Sequence, residues 1–143
     1  MTGSEADAAG PRSPAGVYLR ATAINQRAID LRLDYPSRVL FYCAFELAVR
    51  RRFGCDSPIA EITRMVTNAA RRHPLVPLPA LEAEMLIRHA LGEAVPIEDI
   101  PLPTLVATHV VVFAGICDEL ALDDDEIDAL IATAEARAHT LAR

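Results

Sequence analysis

Lysine is absent from this chain of 143 residues, because all 14 of the residues counted as lysine or arginine are arginine. The absence excludes a Schiff-base lysine, a P-loop lysine and a kinase-type phosphate lysine. Tryptophan is also absent, and aromatic residues make up only 5% of the chain. Few aromatic side chains are therefore available to stack on nucleic-acid bases beside the arginines.

Cysteine is scarce as well, and the three that occur, Cys43, Cys55 and Cys117, have no CxxC spacing. This usage is typical of a reducing compartment, so we predict a cytoplasmic protein. The first residues lack the basic and apolar segments of a signal peptide. The most apolar stretch, 102–117, contains a proline and a histidine and is shorter than the ~20 residues of a membrane span. We therefore predict a core element there and no membrane association.

The chain has 52% hydrophobic and 24% charged residues, a composition typical of one globular domain. Its charge is unevenly distributed. Residues 1–72 carry 11 arginines against 7 acidic residues, a net +4, whereas 73–143 carry 3 against 13, a net −10. Either helices of opposite charge pack side by side within one monomer, or an oppositely charged partner or second copy binds.

Apolar periodicity and helix-ending residues predict an all-α, single-domain bundle of about six helices with proline-rich connectors. We expect a disordered tail over 1–15 and the bundle over 16–143. The second helix, from Pro36 to Phe53, and the fifth, over 105–122, are apolar on nearly every side and should lie at the centre. The predicted buried stripe of the first helix is Val17, Ala21, Ile24, Ala28 and Leu31.

Three local patterns predict where the other helices begin and end. Ser57 followed by Pro58 is a cap and first turn for the third helix, whose predicted apolar stripe is Ile59, Ile62, Val66 and Ala69. The fourth helix opens at Pro79, carries Leu81, Met85 and Leu86 as its apolar stripe, and stops at Gly92. Asp123 and Glu126 form a capping box for the sixth helix.

Three residues are candidates for a pocket: Glu46, His89 and His109. Glu46 stands on an otherwise apolar helix, where a carboxylate must be paired, exposed or protonated. A plain pair with Arg50, one helical turn later, is the simplest interpretation. His89 and Glu93 are also one turn apart, but two ligands do not make a metal site, and neither HExxH nor GxSxG is present. The sequence thus predicts no metal, no cofactor and no catalytic residue.

Five arginines form the second candidate site, Arg50, Arg51, Arg52, Arg71 and Arg72. They could contact phosphates or an acidic protein surface. A helix-turn-helix fits poorly here, because Pro58 stiffens the base-facing end of the supposed recognition helix.

We predict a non-catalytic interaction or adaptor module that binds a protein partner or a second copy of itself. This prediction rests on the charge asymmetry and on the apolar connectors, which could leave exposed apolar surface for a partner. One alternative is a small helical enzyme or ligand-binding protein that uses the pocket candidates. The other is a nucleic-acid-binding protein that uses the Arg50–Arg52 cluster.

Overall fold

A computed structural model describes residues 10–26 and 31–141 of the chain. In these two ranges the chain is helical and has no strand, so the predicted all-α bundle is confirmed. The helices are α1 (Pro14–Asn25), α2 (Tyr35–Arg52), α3 (Ile59–Arg72), α4 (Ala80–Ala90), α5 (Leu102–Glu119) and α6 (Asp124–Leu141).

The centre of the bundle is α5, as its apolar composition predicts. Every residue from 106 to 117 is buried, and the helix packs against α1, α2 and α3. By length and composition alone α5 could cross a membrane, but 67% of it is buried inside the bundle, as in the core helix of a soluble protein. The second central helix is α2, which contacts α1, α4, α5 and α6.

The helix ends follow short-range hydrogen bonding. The predicted capping box of α6 is confirmed: the Asp123 N–H donates to Glu126 Oε1 at 3.0 Å, and the Glu126 N–H donates to Asp123 Oδ1 at 2.8 Å. The predicted Ser57 cap of α3 is wrong. Its hydroxyl instead accepts from the Gly54 N–H at 2.9 Å and so closes the preceding turn, while Pro58 precedes α3 without a side-chain cap.

The predicted buried stripe of α1 is also wrong. Val17 is 55% exposed and Ile24 is exposed too, whereas the buried face carries Ala15, Gly16, Leu19, Thr22 and Ala23. The helix ends at Asn25, before Leu31, and Ala28 lies outside the described residues. Gly16 lies against the Glu135 carboxylate on this buried face. A Cβ added at position 16 would be only 2.4 Å from Glu135 Oε2, so a larger residue does not fit there.

The same carboxylate fixes the start of α1. Glu135 accepts from the backbone N–H of Arg12 and from both the N–H and hydroxyl of Ser13, at 2.7–3.2 Å. The helix begins at Pro14, so the bundle starts slightly before the predicted boundary at residue 16. Of the predicted tail, residues 1–9 lie outside the described residues.

The apolar pattern of α3 and α4 is correct in the middle and wrong at the helix starts. Ile62, Val66 and Leu86 are buried as predicted, but Ile59 and Leu81 are exposed. Each exposed residue lies in the first turn of its helix, beside a proline-containing connector and away from the packed middle. Periodicity alone does not show where a helix leaves the core.

Candidate functional site

A cavity of about 330 Å³ lies between α2, α4 and α5 and is lined mainly by apolar side chains. Ligand sites in proteins typically have volumes of ~300–1,000 Å³, so this one is at the small end of that range. Its lining consists of Tyr35, Arg38, Val39, Tyr42, Phe45, Leu86, His89, Ala90, Ile97, Leu102, Leu105, Val106, His109 and Leu141.

One face of α2 forms the long wall of this cavity. Tyr35, Arg38, Tyr42 and Phe45 follow one another at helical spacing, so they project to the same side. Phe45 lies ten positions after Tyr35, which corresponds to roughly 15 Å along the helix axis. Tyr35 is exposed and Phe45 is buried, so the cavity leads from the surface toward the core.

His109 of α5 stands at the inner end of the cavity. Its ring lies 4.7 Å from the ring of Phe45 and 5.7 Å from that of Tyr42, measured between centroids. The residue is only 4% exposed and lines the cavity. Burial lowers the pKa of His109 to about 3, so the imidazole is neutral at physiological pH. A neutral imidazole offers one donor and one acceptor to whatever occupies the cavity.

The structure brings two of the three predicted pocket residues together. His89 of α4 lines the same cavity as His109, whereas Glu46 does not line it. Glu46 is instead held by two arginines, with Oε1 3.2 Å from Arg137 Nη1 and Oε2 3.7 Å from Arg50 Nε. The predicted pair with Arg50 is thus present.

Tyr42 joins the Glu46 ion pairs to the cavity. Its hydroxyl lies 3.5 Å from Glu46 Oε2, at the long limit for a hydrogen bond, while its ring lines the cavity and packs on His109. Burial, together with the negative charge of Glu46, raises the pKa of Tyr42. The tyrosine therefore stays protonated and neutral at physiological pH.

Arg38 is the one residue of the cavity lining that carries a full charge at every physiological pH, and the lining contains no aspartate or glutamate. Its Nε donates to the Leu33 carbonyl oxygen at 2.8 Å, and its guanidinium lies over the Tyr35 ring at 5.4 Å from the centroid. No carboxylate among the described residues pairs with it. Its two terminal amino groups are therefore available to a ligand.

The arginine cluster has a different environment. Arg51 lies 3.5 Å from Glu126, Arg52 is 2.8 Å from Glu119, and Arg72 is 2.6 Å from Asp118. Arg52 also contacts Glu61 and stacks on Phe53. Of the five predicted contact residues, only Arg71 has no acidic partner within the described part of the chain. Helices of opposite charge therefore pack side by side within the described part of the chain.

Metal ligands do not converge in residues 10–26 and 31–141, where no group of three or more histidine, cysteine, aspartate or glutamate side chains is placed to hold an ion. Glu93, one turn after His89, is paired with Arg88, from which it accepts hydrogen bonds of 2.7 and 3.0 Å.

Sequence reasoning missed Arg38 and Tyr42. The signal was present, because both share a helical stripe with Tyr35 and Phe45. What sequence could not show is that α4 and α5 leave a space opposite that stripe. Comparison of the chain with protein families, curated proteins and solved structures gave no match.

Proposed function

We propose that this protein binds a small, largely apolar ligand in the cavity between α2, α4 and α5. The observation that supports the proposal most directly is His109, which is only 4% exposed and whose imidazole lines the cavity. A neutral imidazole has one hydrogen-bond donor and one acceptor. A ligand with one polar atom at that point would form a hydrogen bond with it.

The surroundings of the cavity mouth support the same interpretation. Tyr35, Leu102 and Leu141 belong both to the cavity lining and to the exposed large hydrophobic residues of the chain. Apolar side chains around an opening favour the entry of an apolar molecule, since the ligand covers them as it binds. A volume of about 330 Å³ suits a ligand of on the order of ten non-hydrogen atoms, if each occupies about the volume of a water molecule.

Octan-1-ol is a suitable neutral probe, and its binding can be measured by isothermal titration calorimetry. We expect saturable binding to the wild-type protein. Ala90→Leu fills the cavity from the wall of α4 and should weaken binding at least tenfold, whereas the matched variant Ala60→Leu, on the exposed side of α3, should leave it unchanged. Absence of binding to the wild-type protein, or equal binding by the two variants, would contradict the proposal.

A second candidate function is association with a protein partner or a second copy. The observation that favours it is the exposure of Leu75 (80%) and Leu81 (66%) beside the connector that contains Pro77 and Pro79. Large apolar side chains that are this exposed to solvent are common at protein–protein contacts. Because four of the five clustered arginines are paired within the chain, we expect such association to depend on apolar contact more than on charge.

Sedimentation velocity tests this second candidate. If the leucines form the contact, the wild-type protein should self-associate equally well at low and high salt, because screening weakens charge pairing but not apolar burial. The double variant Leu75→Ser/Leu81→Ser should be monomeric, and Val17→Ser, which alters another exposed apolar residue, should behave as wild type. A wild-type protein that stays monomeric at all concentrations would exclude self-association.

A further inference from the structure

The two ends of the cavity carry different polar groups, one charged and one neutral. This difference indicates the chemistry of the ligand. At the outer end, Arg38 carries a full positive charge and lies over the exposed ring of Tyr35. At the inner end, His109 is packed between the rings of Tyr42 and Phe45. Between them the wall is apolar, and includes Leu86, Ile97 and Val106 on the side opposite α2.

Arg38 differs from the arginines that form ion pairs between helices. Arg20, Arg52, Arg72 and Arg137 each lie within 4.0 Å of a carboxylate in this chain. The hydrogen bonds of Arg38 are limited to one backbone carbonyl at Nε, which leaves Nη1 and Nη2 without an acidic partner in the described residues. Two parallel amino groups fit the two oxygens of a carboxylate.

We propose that the ligand is an amphiphilic carboxylate whose head group binds Arg38 and whose apolar chain lies along α2 toward His109. This inference rests on the proposed function, since it requires the same cavity. A single guanidinium with no other permanent cation in the lining matches a ligand with one negative charge. The inner end cannot take the carboxylate, because a charge there would be desolvated without a charged partner.

The length of the cavity agrees with this orientation. Phe45 lies seven positions after Arg38, so the charged end and the aromatic end are about 10 Å apart along the axis of α2. A chain of on the order of eight carbons would fill the volume estimated above. Octanoate, octan-1-ol and octylamine have nearly the same chain and differ in the charge of the head group, so they isolate the contribution of Arg38.

Isothermal titration calorimetry at pH 7 with these three probes tests the inference. The wild-type protein should bind octanoate about tenfold more tightly than octan-1-ol, since one hydrogen bond to a charged group contributes roughly that much. It should bind octylamine most weakly. Arg38→Gln should remove the preference, so that octanoate binds no more tightly than octan-1-ol, and Arg38→Lys should retain part of the preference.

Arg64→Gln is the matched control, because Arg64 is exposed on α3, remote from the cavity lining, and has no acidic partner among the described residues. It should bind all three probes as wild type does. Circular dichroism checks that each variant is folded, and if Arg38→Gln is not, the comparison of wild type with Arg38→Lys decides.

The outcomes separate this inference from the proposed function. Equal binding of octanoate and octan-1-ol by the wild-type protein would overturn the inference that the ligand has a carboxylate head group. The cavity would then remain a site for a neutral ligand. An equal loss of octanoate binding in Arg38→Gln and Arg64→Gln would overturn the assignment to Arg38. If none of the three probes binds, both the inference and the proposed function fail.

Discussion

The two halves of α5 pack in opposite ways. Its first half, including Leu105, Val106 and His109, faces the cavity. Its second half is in close contact with α3, because a Cβ added at Gly115 would lie 2.9 Å from Met65 Cε and 3.1 Å from Ala69 Cβ. One helix therefore borders both a close contact with α3 and the cavity.

The difference arises from side-chain size and from ion pairs. Where α5 meets α3, a glycine faces an alanine and the backbones approach closely. Beyond that contact, Glu119 is paired with Arg52 of α2, and Asp118 with Arg72 of α3. At the other half, the rings of Tyr42 and Phe45 each pack on the His109 ring beside the cavity. A fold anchored at one end of α5 can keep a cavity at the other end.

The largest effect is expected from adding bulk at the tight contact. Gly115→Leu should lower the free energy of unfolding by about 3 kcal/mol, because Ala69 cannot move away without displacing α3. Ala90→Leu adds a similar volume beside the cavity, and should change stability by less than about 1 kcal/mol. Guanidinium chloride unfolding followed by circular dichroism measures both. Equal destabilisation by the two substitutions would show that the halves do not differ in packing.

The next effect concerns acid stability and tests whether water reaches the inner end of the cavity. His109 has a pKa of about 3 in the folded state, against a typical unfolded value of ~6.5. Between these values the unfolded chain binds a proton that the folded chain does not, so stability falls as pH falls through this range. One such group contributes at most ~1.4 kcal/mol per pH unit.

His109→Phe should therefore reduce the loss of stability between pH 6.5 and pH 5 by about 2 kcal/mol relative to wild type. Unfolding curves at several pH values measure this difference. His73, which is also buried and whose pKa burial lowers, contributes in the same direction in both proteins and cancels from the comparison. His139→Gln, at an exposed position on α6, should retain the wild-type pH dependence. An acid sensitivity that is the same in His109→Phe and wild type would show that water hydrates the imidazole.

Much of the fold could be predicted from sequence because its signals are local. The capping box of Asp123 and Glu126 depends on two residues three positions apart, and the burial of α5 depends on a continuous apolar run. The buried face of α1 could not be predicted, because it depends on Glu135, more than a hundred residues away, which accepts hydrogen bonds from Arg12 and Ser13.

The candidate site was only partly predictable for the same reason. A histidine on an apolar helix indicated that His109 would be buried, but its neighbours Tyr42 and Phe45 come from another helix. Glu46 met the sequence criterion for a pocket residue equally well, yet Arg137 of α6 binds it away from the cavity. Which polar residue on an apolar helix meets a cavity depends on the partner helix.

The smallest effect tests the ion pairs that hold the second half of α5. Arg52→Gln removes the partner of Glu119 while keeping side-chain length and some hydrogen bonding. Arg52 and Glu119 are each only about a quarter exposed, so their 2.8 Å contact is partly protected from solvent screening, and its loss should cost about 1 kcal/mol.

Arg50→Gln is the matched control, since Arg50 is more exposed and lies 3.7 Å from Glu46, which Arg137 still binds. Its cost should be no more than about 0.5 kcal/mol by the same unfolding measurement. If the two substitutions cost the same, close packing at Gly115 holds this end of α5 without help from charge. A larger cost for Arg52→Gln that becomes smaller at high salt would instead show that the ion pair contributes, because salt screens the partly exposed charges.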